Sequence, residues 1–168
     1  QLEDGDEEAA PLPRYGAAMA PQPEGNGFYI SHGFTSEGRF DDTWRYDLLA
    51  GTWTELTPDG QRPEPRCLMR MVTDPERGRL VLFGGQANGS PYLGDTWVFD
   101  LNEPSWRELE IEGPQPRNLY SLVRRGDNGD LLVFGGASSS GRRGDLWMFD
   151  AAEEVWSELE PPGGSAQA

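Results

Sequence analysis

The chain has 168 residues, enough for one ordinary domain with its own core. It carries 22 Gly, 14 Pro, 6 Trp, 7 Phe and 5 Tyr, and no apolar pattern holds the helical period, so an all-β fold of many short strands is expected. Its 29 acidic and 14 basic residues give a net charge of −15, a field that repels nucleic-acid phosphates and anionic membrane surfaces, while a single cysteine, Cys67, excludes an internal disulfide framework or a cysteine-based zinc site.

Glu3, Asp4, Asp6, Glu7 and Glu8 gather near the start. Residues 1–10 read as an acidic linker, with an interaction tail as the alternative, and Gln1-Leu2-Glu3 as the end of a strand from a preceding unit. A first unit, 11–60, then opens on Pro11-x-Pro13-Arg14. It continues through Phe28-Tyr29-Ile30-Ser31-His32-Gly33 and Asp42-Thr43-Trp44-Arg45-Tyr46-Asp47 to Trp53-Thr54-Glu55-Leu56. The second, 61–112, runs the same course: Pro63-x-Pro65-Arg66, Leu80-Val81-Leu82-Phe83-Gly84-Gly85, Asp95-Thr96-Trp97-Val98-Phe99-Asp100 and Trp106-Arg107-Glu108-Leu109. The third, 113–160, offers Pro114-x-Pro116-Arg117, Leu131-Leu132-Val133-Phe134-Gly135-Gly136, Asp145-Leu146-Trp147-Met148-Phe149-Asp150 and Trp156-Ser157-Glu158-Leu159. Residues 161–168 read as a further linker.

Trp44, Trp97 and Trp147 stand 53 and 50 residues apart, as do Trp53, Trp106 and Trp156, and these six are all the tryptophans of the chain. Four landmarks recurring in fixed order at a period near fifty are an internal repeat. Each repeat predicts four strands; in the second they are Cys67–Thr73, Arg79–Phe83, Thr96–Asp100 and Ser105–Leu109, separated by turn signals at 74–78, 84–94 and 102–104. Leu80–Phe83 is apolar without interruption, as befits a strand covered on both faces, and the strand period of two puts Trp97 and Phe99 opposite Val98. Gly84-Gly85 and Gly135-Gly136 suit backbone angles or close approaches that other residues resist, and Asp47, Asp100 and Asp150 suit the acceptance of turn N–H bonds.

A di-glycine after an apolar strand, then an aromatic strand, then a Trp-containing strand resembles the kelch-repeat family, over roughly residues 11 to 160. The resemblance implies a β-propeller of four-stranded antiparallel blades, three of them here, in which Trp44, Trp53, Gly84, Gly85, Trp97, Trp106, Gly135, Gly136, Trp147 and Trp156 are structural. Three blades do not close a ring. Each open end would expose several large apolar side chains at ~1.5–3 kcal/mol apiece, so cover is expected from further blades in cis or a second copy in trans.

The resemblance implies a non-catalytic module that binds a protein partner, with no cofactor. Antiparallel blades bring the segments 34–41, 86–94 and 137–144 to one end, and Arg39, Phe40, Tyr92, Arg142 and Arg143 are candidate contacts there. Arg14, Arg66 and Arg117 each precede an innermost strand. Similarity to kelch adaptors implies that they grip an acidic peptide; the structural alternative ties them to carbonyls or carboxylates of the neighbouring blade. The lone His32 takes the place of the first glycine of the pair and reads as a local adaptation, and Asn88-Gly89-Ser90 fits a glycosylation acceptor. The alternative function is part of a kelch-type enzyme, or of a carbohydrate-binding propeller using Phe40 and Tyr92, with its active residues in other blades. The family's copper oxidase needs two histidines and a Cys–Tyr cross-link, and its iron-dependent members need a histidine spaced from acidic residues; neither pattern occurs here. No signal-peptide core or membrane-spanning run is found, and the compartment stays open.

Overall fold

The computed structural model describes residues 9–126 and 128–160, so the expected strand end at 1–3, most of the acidic linker and the 161–168 linker lie outside the described residues. Strand-forming runs between turn signals fold each repeat into an antiparallel blade sheet, the third with a separate two-stranded ribbon. The first comprises β1 (Ala18–Pro21), β2 (Gly27–Thr35), β3 (Gly38–Asp47) and β4 (Thr52–Glu55), paired in chain order. In the second, β5 (Arg66–Cys67) and β6 (Arg70–Asp74) both pair with β7 (Arg79–Ala87), which is followed outward by β8 (Ser90–Asp100) and β9 (Ser105–Leu109). The third contains β10 (Ser121–Arg125), β11 (Asp130–Phe134), the short ribbon β12 (Ala137–Ser138) and β13 (Gly141–Arg142), then β14 (Leu146–Asp150) and β15 (Val155–Leu159). Its sheet order is β10-β11-β14-β15, with the ribbon apart.

Two local expectations are corrected. The strand expected over 67–73 is broken, because Leu68 takes a left-handed conformation, φ 59°, matched by Gly16 at 67° and Leu119 at 56°. Each of these residues lies two places after an arginine of the Pro-x-Pro-Arg landmark and turns the chain into the innermost strand. The segments 34–41 and 86–94, expected as loops, instead extend the β2–β3 and β7–β8 ladders to two-residue turns, at 36–37 and 88–89. An Asn-Gly pair at 88–89, with Gly89 at φ 78°, is the chemistry a tight hairpin needs.

Two apolar seams hold the three blades together. Between the first and second, Ala18, Ala20 and Tyr29 meet Met69, Met71, Leu80, Leu82, Trp97, Phe99 and Trp106. Between the second and third, Val81, Phe83, Val98 and Leu109 meet Tyr120, Leu131, Val133, Phe149, Ala151 and Trp156. The strand period of two therefore sends alternate residues of β7 and β8 into opposite seams, and Leu80 to Phe83 are all wholly buried. The outer faces of the first and third blades are open: Met19 is 60 % exposed where its counterpart Met71 is 4 %, and Phe134 is 54 % exposed where Phe83 is 0 %. The sheets form an open run of propeller blades, all-β and with no ring closure among the described residues.

At the end of the blades remote from the long hairpins, Asp47, Asp100 and Asp150 each accept two main-chain N–H bonds from the turn that follows, at 2.8 to 3.1 Å. The second and third blades are tied at this end by Arg79. Its side chain bonds Asp74 at 2.9 Å and the Ala151 carbonyl at 2.7 Å, and pairs with Glu154.

Candidate functional site

The end carrying the β2–β3 and β7–β8 hairpins and the β12–β13 ribbon is organised by one motif used three times. In the second blade the Arg66 guanidinium donates two bonds to the Asp95 carboxylate, both 2.7 Å, and Trp97 Nε1 donates to the same carboxylate at 2.7 Å. Arg66 also donates to the carbonyls of Glu64 and Gly84 at 3.1 and 3.2 Å. Arg117 repeats this with Asp145 at 2.8 and 2.7 Å, with Trp147 donating at 2.9 Å, and binds the carbonyls of Gln115 and Gly135. Arg14, Asp42, Trp44, Leu12 and His32 form the first copy. The three arginine side chains are 3 %, 1 % and 0 % exposed.

The carboxylate that each arginine meets lies in its own blade, at the head of the aromatic strand, and not in the neighbouring blade as the structural alternative supposed. Each guanidinium thereby ties the chain entering a blade to the hairpin of that blade. Burial pushes the Asp145 carboxyl up, but the bonds from Arg117 and Trp147 outweigh it and hold it well below the usual carboxylate range. The same balance lowers Asp42, through Arg14 and Trp44. Asp42, Asp95 and Asp145 recur with the tryptophans two residues on, so the signal was present; sequence reasoning gave a role to the aspartates at the other end of the strand and overlooked these.

His32 sits at φ 59° where the other repeats have Gly84 at 57° and Gly135 at 68°. The imidazole is wholly buried, with Nδ1 2.6 Å from Ser31 Oγ and Nε2 3.4 Å from the Pro63 carbonyl of the second blade. Burial, reinforced by the Arg66 charge, pulls its pKa down to about 4, so the ring is neutral at pH 7. No group of three or more His, Cys, Asp or Glu side chains able to hold a metal is found among the described residues.

The remaining candidates are spread along the hairpins. Arg39 is half-buried and bonds Asn88 Oδ1, joining the hairpin tips of the first two blades. Phe40 lies beneath the Arg14 guanidinium, 4.1 Å from ring centroid to Cζ. Tyr92 is half-buried, Arg142 exposed on β13, and Arg143 reaches Asp145 at 3.4 Å. Asn88 and Gly89, of the Asn88-Gly89-Ser90 sequence, are exposed at their turn. The structure adds three exposed side chains beside the chain's path into the blades: Leu12 at 60 %, Tyr15 at 59 % and Leu119 at 61 %. Tyr15 packs edge-on against Phe34, centroids 3.9 Å apart. Their only sequence signal is proximity to Pro-x-Pro-Arg, which does not distinguish an exposed side from a buried one.

The family model for the KLHDC2/KLHL20/DRC7 Kelch-repeats domain matches residues 25–168. The chain belongs to the kelch-repeat family. Kelch domain-containing protein 1 of Homo sapiens is 27 % identical over 135 residues, covering 74 % of this chain and 33 % of the relative. Rab9 effector protein with kelch motifs of Xenopus laevis is 32 % identical over 92 residues, covering 51 % and 25 %. Dynein regulatory complex subunit 7 of Chlamydomonas reinhardtii is 31 % identical over 84 residues, covering 50 % and 7 %. This kelch chain thus spans a third or less of the length of these curated relatives. No helix among its described residues is long and apolar enough to cross a membrane.

Proposed function

We propose that this chain is the non-catalytic part of a kelch propeller that acts as a protein–protein interaction scaffold through its hairpin end, and that it takes an acidic segment of the partner. The observation that carries the reading is the threefold Arg–Asp–Trp clamp. It holds the chain entering each blade against that blade's hairpin or ribbon, so the side chains at that end are presented on a rigid frame, which lowers the entropy lost on binding. With Arg14, Arg66 and Arg117 committed to carboxylates, contact with the partner falls to Tyr15, Arg39, Leu119 and Arg142, with Phe40, Tyr92 and Arg143 behind them. Aromatic and arginine side chains are favoured interface anchors, and Arg39 and Arg142, which are not committed to the clamp aspartates, would complement a partner's carboxylates. Two relatives are named as a Rab9 effector protein and a dynein regulatory complex subunit, in keeping with a protein partner.

The test is to isolate the partner by affinity capture, identify it, and measure its Kd with purified variants. Arg39→Ala combined with Arg142→Ala is expected to weaken binding by ~1–3 kcal/mol, with the melting temperature little changed. Glu76→Ala with Arg77→Ala, at the opposite end, is expected to leave binding intact. The reverse pattern would move the interaction to the other end of the blades and overturn the reading.

A further inference from the structure

An asparagine followed by glycine exposes its side-chain amide to attack by its own backbone. Glycine leaves the next nitrogen unhindered and takes either sign of φ, so the intervening peptide plane turns freely. The chain has three such pairs, Asn26-Gly27, Asn88-Gly89 and Asn128-Gly129, each at or beside a turn.

Their surroundings differ. Gly27 is buried in the β2–β3 ladder opposite Asp47, and a Cβ built on it would run into the Tyr46 carbonyl. Gly129 is buried against the Asp74 carboxylate. The Asn128 carboxamide is held at both ends by Asp130, Nδ2 donating to the carboxylate at 2.6 Å and Oδ1 accepting from the N–H at 3.4 Å. Asn88 and Gly89 instead form the exposed two-residue tip of the β7–β8 hairpin. Nothing lies within 4 Å of a Cβ built on Gly89. Among the described residues, neither the Gly89 N–H nor Asn88 Nδ2 has an acceptor.

Asn88 does have one contact, with the neighbouring blade. Arg39 on β3 donates from Nη1 to Asn88 Oδ1, and this is its only side-chain hydrogen bond among the described residues. The Arg39 Nε–H is buried without an acceptor. A guanidinium on a carbonyl oxygen draws electron density from the carbon and stabilises the negative charge that the oxygen takes up when a nucleophile adds.

We infer that Asn88 is a self-modification site, converted to a carboxylate with Arg39 as the electrophilic donor. Hydroxide removes the Gly89 N–H proton, and the nitrogen adds to Asn88 Cγ while Oδ1 becomes an oxyanion against Arg39. The oxyanion collapses, the Cγ–Nδ2 bond breaks, and Nδ2 takes a proton from water and leaves as ammonia. Water then adds to either carbonyl of the cyclic imide and opens it, giving aspartate or isoaspartate at position 88. Either product adds one negative charge, and its two oxygens can take two Arg39 N–H groups where the amide offers one acceptor. The link between the first two hairpin tips thereby becomes an ion pair. This chemistry is independent of whether the hairpin end binds a partner.

The test is incubation of the whole chain in mildly alkaline buffer, with tryptic peptides 15–39, 80–107 and 126–142 followed by mass spectrometry. In the folded chain Asn88 should gain the mass of an amide-to-acid conversion well before Asn26 or Asn128, at a rate that rises with pH. In urea the three should convert alike, since their neighbours no longer differ. Arg39→Gln should slow Asn88 by roughly tenfold, less than the ~10²–10³ lost with a donor in a water-excluded site, because the tip is exposed. Loosening of the tip would act in the opposite direction, so faster conversion in Arg39→Gln would overturn the role of Arg39. Conversion of Asn88 no faster than that of Asn26 and Asn128 in the folded chain would overturn the site. Asn88→Asp installs one product directly; it should raise the melting temperature at low salt and lose that gain in high salt or in Arg39→Gln. No gain with Arg39 present would refute the new ion pair.

Discussion

Replacing Asp145 with Asn tests whether the Arg–Asp–Trp clamp is a principal source of stability in the blade. Arg117 is 0 % and Asp145 9 % exposed, so the substitution leaves a cation out of water with no counter-charge. Breaking one partner of a buried pair costs ~3–5 kcal/mol, a large part of the ~5–15 kcal/mol by which a domain is stable. Asp145→Asn retains one oxygen for Trp147 Nε1 or Arg117; Asp145→Ala retains none and adds ~1–3 kcal/mol for an indole N–H without a partner. Removing both charges, as Arg117→Met with Asp145→Leu, should recover the ~3–5 kcal/mol of the uncompensated cation. A loss of roughly 2–4 kcal/mol remains, because the Trp147 indole N–H again has no acceptor and the Gly135 and Gln115 carbonyls lose the donors of Arg117. Urea unfolding followed by far-ultraviolet circular dichroism measures each variant, with Asp41→Ala as the control. Asp41 pairs with Arg62 at about one-third exposure on each side, and its loss should cost ~1 kcal/mol or less. If Asp145→Asn proved no worse than Asp41→Ala, or if the double variant were as unstable as Asp145→Ala, the clamp would not be the energetic centre assigned to it.

His32 predicts an acid-sensitive seam. Its folded pKa of about 4 lies below the ordinary 6.5, so the unfolded chain binds the extra proton first, and stability present above pH 6.5 is lost as pH falls toward 4, by about 3 kcal/mol. His32→Gly, at a φ that glycine accepts, should flatten this slope relative to wild type in melts between pH 7 and 4; parallel slopes would refute it. Glu154 holds φ 54° while pairing with Arg79 and Arg107 of the second blade. Glu154→Ala and Glu154→Gly both lose the pairs, but only glycine relieves the backbone, so Glu154→Gly should be the more stable of the two by ~1 kcal/mol in chemical unfolding.

The repeat, the class and the two-sided burial of the blade were legible because each depends on residues close in sequence. Alternation of Trp97, Val98 and Phe99 settles which side chains share a face before any neighbour is known. The three Pro-x-Pro-Arg landmarks were legible as a recurring element, but their role was not. Arg66 and Asp95 stand 29 residues apart, and either partner alone is equally consistent with a ligand or an ion pair. The hairpins at 34–41 and 86–94 were read as loops because polar and aromatic residues mix there. What extends the strands is main-chain pairing across the turn, and it is nearly indifferent to side-chain identity.

Local spacing in the sequence determined that this chain is a kelch array of three four-stranded blades, since strand period and turn chemistry act over a few residues and repeat every fifty or so. Tertiary structure alone decided which charges meet and which apolar residues remain uncovered. Phe83 and Phe134 occupy the same place in their repeats, yet one is buried and the other half-exposed, because burial depends on whether another blade lies against it.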